Sequence, residues 1–98
     1  MNLVRIRPEA VGDIGEAIEW YEGQRPGLGI EFVLELDAAI ERAVLNPKAY
    51  AIQYQGARRV LIRRFPYSVY YVVEASAIEI FGVLHQHRVP QAWQSRLS

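Results

Sequence analysis

The sequence contains no cysteine, which excludes disulfides, thiolate metal sites and cysteine nucleophiles together; any nucleophile or ligand must come from oxygen or imidazole. No apolar run approaches the roughly 20 residues of a membrane-spanning helix. The opening MNLVRIRPEA has neither the apolar stretch nor the small-residue cleavage site of a secretion signal. A soluble cytoplasmic protein that makes no membrane contact is therefore expected. Internal repeats and low-complexity tracts are also missing. No GxGxxG or Walker pattern surrounds Gly27 and Gly29, so these glycines suit a turn rather than a phosphate cradle. What is present is 98 residues, 51% of them hydrophobic and 22% charged, enough for one folded domain spanning 1–98.

The formal net charge of zero conceals a polarity along the chain. Residues 1–57 carry five Lys or Arg against nine acids, a net of −4, whereas residues 58–98 carry six Arg against Glu74 and Glu79, a net of +4. Such a division suits a protein that meets a polyanion or an acidic partner with one surface. Helices bearing solubilising acids beside strands bearing arginines would give the same count.

Leu3, Val4 and Ile6 suggest a short strand over 2–7 that Pro8 ends, and Pro8 suits the first position of a helix. Val11, Ile14, Ile18 and Tyr21 recur at helical spacing, which predicts a helix over 9–23 whose Gly12 and Gly15 leave room for a close neighbour. The stretch from Gly23 to Gly29 reads as a loop because it holds three glycines and Pro26. Phe32, Val33, Leu36, Ile40, Ala43 and Val44 predict a second helix from Ile30 that stops at Asn46-Pro47. After a turn region through Gly56, apolar runs at Val60–Ile62, Ser68–Val73 and Ile78–Leu84 predict three strands in an antiparallel meander, with weak hairpin signals at Phe65-Pro66-Tyr67 and Glu74-Ala75-Ser76. The order β, α, α, β, β, β argues an α+β fold, a helical hairpin laid on one face of a four-stranded sheet with the other face open.

Arg58, Arg59, Arg63 and Arg64 form the densest cationic cluster. Strand alternation sends Arg59 and Arg63, with Leu61, to one face and Arg58 and Arg64 to the other, so one pair is free to meet phosphates while the other serves structure. Tyr67, Tyr70 and Tyr71 offer stacking surfaces beside these cations, yet Tyr70 and Tyr71 point to opposite faces and at least one belongs to the core. His85-Gln86-His87 presents two imidazoles with no nearby carboxylate to complete a metal set, so neither metal nor cofactor is expected. Glu16, Glu19 and Glu22 read as a solvated helix face. Trp20 marks either a partner surface or a ring buried under the loop at Pro26 and Leu28, and Trp93 either covers the sheet or meets a partner.

The segments EAIEWYEGQRPGLGIEF at 16–32, NP at 46–47, RRFPYSVYYVV at 63–73 and HQHRVPQAWQSR at 85–96 resemble the RelE/ParE superfamily of bacterial type II toxins, over nearly the whole chain and in the same element order. The resemblance implies a toxin neutralised by a cognate antitoxin, with promoter DNA bound only through that antitoxin. Relatives of the RelE kind cleave messenger RNA on the ribosome; those of the ParE kind are non-enzymatic inhibitors of DNA gyrase. Cleavage without metal needs proton transfer and phosphorane stabilisation. By that resemblance Arg59, Arg63 and His87 would be the catalytic set of a nuclease. Ser68, His87 and Trp93, however, depart from the arginines and terminal tyrosine of such enzymes. The long RPGLG loop, the RRFPY approach and the H-x-x-x-x-P-x-x-W ending resemble the ParE side. On that branch Arg59, Arg63, Tyr70, His87, Arg88 and Trp93 would meet the target, and Trp20, Tyr21, Phe32 and Leu36 would receive an antitoxin segment in the groove between helices and sheet. An inactive relative that binds only its antitoxin is the remaining alternative.

Overall fold

The computed structural model describes residues 3–75 and 77–97. Strand β1 (Leu3–Ile6) leads into helix α1 (Pro8–Gln24), which Pro8 opens and Glu9 complements electrostatically in its first turn. Asn2 and Ser76, which the sequence assigns to the first strand and the last hairpin, lie outside the described residues. Helix α2 (Leu28–Leu45) buries Gly29, Phe32, Leu36, Ala39 and Ala43, a spacing of three and four that keeps one stripe inward. Strands β2 (Ile52–Tyr54), β3 (Ala57–Leu61), β4 (Tyr67–Glu74) and β5 (Ala77–His85) follow, then a short helix α3 (Gln91–Gln94) and a 3-10 turn at Ser95–Leu97.

The sheet has five strands in the order β1-β5-β4-β3-β2, one more than the sequence suggests. The extra strand, β2, lies in the segment read as a turn; it is three exposed residues long, and the single alternation Ile52-Gln53-Tyr54 is too short to mark a strand. The meander β3-β4-β5 is antiparallel, while β1 pairs with β5 in parallel, Val4 opposite Ile78 and Ile6 opposite Ile80. The helical hairpin carries the chain from β1 to the far edge of the sheet at β2, and the meander then brings it back so that β5 lies beside β1.

The breaker-rich connection between helices is shorter than its composition suggests. Helix α1 runs on through Gly23 and Gln24, and α2 already begins at Leu28. Gly27 takes the left-handed conformation at φ 90°, and the Glu22 carboxylate accepts hydrogen bonds from the backbone N–H of Gly27 and of Gly29. Glu22 stays on the exposed helix face expected of it and in addition caps α2, and these bonds hold its carboxyl below the usual range. Gly29 is needed for a different reason: a Cβ there would sit 3.0 Å from Glu22 Oε1 and 3.2 Å from the Ile18 carbonyl. Gly12 and Gly15, by contrast, have nothing within 4 Å of such a Cβ, so the close neighbour they were expected to admit is not there among the described residues.

Both helices pack on one sheet face. Phe32, Leu36, Ala39 and Ala43 meet Val60, Val69, Tyr71, Ile78, Ile80 and Val83 in the main core. Tyr21, Phe32, Phe65 and Tyr67 close one end, with Tyr21 stacked on Phe32 at 5.5 Å and edge-on to Phe65 at 4.8 Å. The second sheet face is not open. A register shift between Tyr70 and Tyr71 adds Phe81 to that side, and Ala57, Tyr70, Phe81 and Leu84 are covered by Trp93, Ala92 and Leu97 from the C-terminal segment. Arg96 pins this segment by donating to Asp13 on α1 at 2.6 and 3.1 Å and to the Phe81 carbonyl at 3.1 Å.

Candidate functional site

The four clustered arginines have separate fates. Arg58 lies opposite Tyr71 on the helix-facing side and donates to the carbonyls of Lys48 and Tyr50, at 3.2 and 2.6 Å. Arg64 sits at φ 71°, a conformation unusual for a residue with a side chain, and donates to Glu31 at 2.8 Å with Glu35 at 3.8 Å. Glu31 also pairs with Arg25. Its hydrogen bonds to Arg64 and Arg25 hold the Glu31 carboxyl below its ordinary range, and the bond to Glu31 raises the Arg64 guanidinium. The helices are therefore not wholly turned away from the positive half of the chain: α2 neutralises Arg64, and α1 neutralises Arg96.

Arg59 and Arg63 are exposed, and their side chains make no ion pair or hydrogen bond among the described residues. They line a cleft of about 450 Å³ with Arg42, Tyr50, Val60 and Leu61. Arg42 reaches over from the last turn of α2 and donates to the Leu61 carbonyl at 2.8 Å. That carbonyl faces outward, because the next residue, Ile62, turns its N–H inward to Tyr67. Strand β2 pairs with β3 only at Ala57 and Arg58, so the outer edge beyond these two residues is covered by no strand. The cleft thus gathers three guanidinium groups and a phenol, with neither carboxylate nor imidazole in its lining.

A second cleft, about 250 Å³, lies between α1 and the ends of β4 and β5 and is lined by Glu16, Trp20, Tyr67, His85 and Arg88, among others. Trp20 is 61% exposed, so it is not buried under the interhelical loop. Burial first, and the nearby Glu16 carboxylate second, raise the Tyr67 phenol above its ordinary value. His85 packs edge-on to Tyr67 at 5.3 Å and 5.0 Å from the His87 ring, and its Nδ1 accepts the His87 backbone N–H at 3.0 Å. No group of three or more His, Asp or Glu side chains that could hold a metal occurs among the described residues.

The structure divides the residues that the sequence nominates as one target surface. Arg59 and Arg63 line the β3 cleft, Arg88 lines the α1 cleft, and His87 lies edge-on to His85. Tyr70 and Trp93 are buried, 3% and 7% exposed, and stack on each other at 4.8 Å; they close the second sheet face and present no ring to a target. Of the residues nominated for the antitoxin, Phe32 and Leu36 are 0% and 4% exposed core residues, because the α2 stripe that bears them faces the sheet. Tyr21 is half-buried in the aromatic cluster, and Trp20 alone of the four is fully available. Arg42 and Tyr50 escape a reading by strand alternation, since one lies on a helix and the other in the segment before β2.

A helical hairpin on one face of a mixed sheet is the α+β architecture expected of a RelE/ParE toxin. The chain belongs to the ParE toxin family: the family described as "ParE toxin of type II toxin-antitoxin system, parDE" matches residues 4–90. It is 28% identical to "Toxin ParE2" of Mycobacterium tuberculosis, strains CDC 1551 / Oshkosh and H37Rv, over 96 residues that cover 97% of this chain and 91% of the relative. A solved structure described as "Chromosomal ParDE TA system from P. aeruginosa" shares the fold with a TM-score of 0.75 at 19% identity, covering 87% of this chain and 96% of that one. The protein is therefore the toxin component of a type II toxin-antitoxin system, for which a cognate antitoxin is the partner. No helix among the described residues is long and apolar enough to cross a membrane.

Proposed function

We propose that this toxin arrests growth in the cytoplasm by binding a nucleic-acid-handling target, DNA gyrase foremost, through the basic β3 cleft. The observation that carries the reading is the state of Arg59 and Arg63: exposed, without a carboxylate partner among the described residues, and next to Arg42. A metal-independent nuclease needs a proton-transfer group set against its phosphate-binding cations. His87, the imidazole nominated for that role, packs on His85, while the cleft offers only the Tyr50 phenol beside its guanidiniums. Binding therefore suits the arrangement better than cleavage.

The antitoxin would neutralise the protein from the other side, over exposed Trp20 and the cleft of Glu16, Tyr67 and Arg88, and promoter DNA would be reached only through it. Induced expression should stop growth, and co-expression of the product of the adjacent small reading frame should relieve the arrest. Purified toxin should inhibit gyrase supercoiling, and R59A/R63A should not. Messages mapped after induction should remain intact; codon-linked cuts would establish the ribosome-dependent endoribonuclease instead, and no arrest at all would leave an inactive relative that binds only its antitoxin.

A further inference from the structure

We infer that the β3 cleft binds the sugar-phosphate backbone of a single-stranded nucleic acid, with Arg42, Arg59 and Arg63 on phosphates and the Tyr50 ring against an unpaired base. The inference rests on the reading that this surface meets the target, and it names the chemistry met there.

Three features converge on that ligand. The lining of the cleft is cationic without any carboxylate, so a polyanion is its complement. The cations come from independent supports, Arg42 from α2 and Arg59 and Arg63 from β3 and the turn after it, and all three line the same cleft. A chain that carries several negative charges complements three such cations better than a lone anion does. Tyr50 completes the set. Its segment is held in place by Arg58, which donates to the Tyr50 carbonyl at 2.6 Å and the Lys48 carbonyl at 3.2 Å. The ring itself packs half-buried against the main core while lining the cleft; an aromatic beside guanidiniums is the usual platform for unpaired bases, and a duplex, whose base faces are already stacked, would gain nothing from it.

Arg42 has a second role in this geometry. In the free protein its guanidinium satisfies the outward Leu61 carbonyl, so it is held at the cleft with donors still available for a phosphate. Arg59 and Arg63 lack any such tether among the described residues and would be ordered by the ligand.

The test is fluorescence polarisation of a labelled oligothymidylate and of an oligouridylate, each compared with a duplex of the same length, across a salt series. Wild type should bind both single strands more tightly than the duplex, with log affinity against log salt falling at a slope of about −2, as three phosphate contacts predict at about −0.7 each. R59Q/R63Q should weaken binding by about tenfold or more and flatten the slope to roughly −0.7. Arg42→Gln should flatten it by a single increment, and Tyr50→Leu should weaken single-strand binding by about fivefold or more with the slope unchanged. Arg5→Gln, which removes a cation already paired with Glu74 and Glu79, should change neither. Absence of single-strand binding at low salt, a slope indifferent to Arg59 and Arg63, or equal affinity for duplex would each overturn the inference. Growth arrest that persists in wild type while its oligonucleotide binding is absent would sink this inference and leave the toxin reading standing.

Discussion

Removing the Asp13 carboxylate should loosen the C-terminal cover of the sheet. Asp13 accepts two bonds from Arg96 and, at 3.0 Å, the backbone N–H of Val83; the two side chains are only 10% and 21% exposed. The Arg96 guanidinium is raised by its hydrogen bond to Asp13, the sign expected of a cation that the fold holds charged. Breaking a buried pair by deleting one partner costs about 3–5 kcal/mol, and partial exposure here lowers the expectation for Asp13→Ala to about 2–4 kcal/mol. For a chain of this length that corresponds to a Tm loss on the order of 10–25 °C. Thermal melting followed by circular dichroism reads the global loss. Emission from Trp93, stacked on Tyr70, reads the local one in a Trp20→Phe background that removes the exposed indole. Asp13→Asn keeps an acceptor for Val83 and should lose less. In a double-mutant cycle with Arg96→Met the coupling should exceed about 1 kcal/mol. Additive effects, or an Asp13→Ala protein within about 0.5 kcal/mol of wild type, would refute the argument that this pair secures the cover.

Other consequences follow from single positions. Gly15→Ala, with open space around its new Cβ, should stabilise by about 0.5–1 kcal/mol, whereas Gly29→Ala should destabilise by about 1–3 kcal/mol because the Ile18 carbonyl cannot withdraw; urea midpoints of the two variants should move in opposite directions. Burial pushes the Tyr71 phenol up to about 12 from the ordinary 10.0, while its hydroxyl donates to the Pro47 carbonyl at 2.7 Å. The folded state therefore keeps a proton that the unfolded chain releases. The contribution, on the order of 2–3 kcal/mol, is present below pH 10 and disappears as pH rises from about 10 to about 12, and Tyr71→Phe should lose that slope in denaturation at alkaline pH. Ser68 is fully buried and its Oγ has no hydrogen-bond partner among the described residues, so Ser68→Ala should be neutral or stabilise by up to about 1 kcal/mol; a loss larger than that in the urea midpoint would reveal an unseen partner.

Much of the architecture is local and so is written in the order of residues. Pro8 opening α1, the three-and-four spacing of Phe32, Leu36, Ala39 and Ala43, and the apolar runs of β3, β4 and β5 fix each element by its own periodicity, and the side of the strand on which Arg58 and Arg59 emerge follows from alternation. Pairings across long stretches of chain are a different matter. That β1 lies beside β5, that Trp93 lands on Tyr70, and that Asp13 meets Arg96 depend on how the whole chain packs, and no local propensity encodes such distant contacts. The basic cleft shows the same division: Arg59 and Arg63 are visible as a cluster, but Arg42 and Tyr50 join them only because α2 crosses the outer edge of β3, and Arg64 leaves them only because Glu31 is within reach. Sequence alone determined which charges exist and which strand faces carry them; tertiary structure decided which were neutralised, since ion pairing falls off with distance and only the packed chain sets those distances.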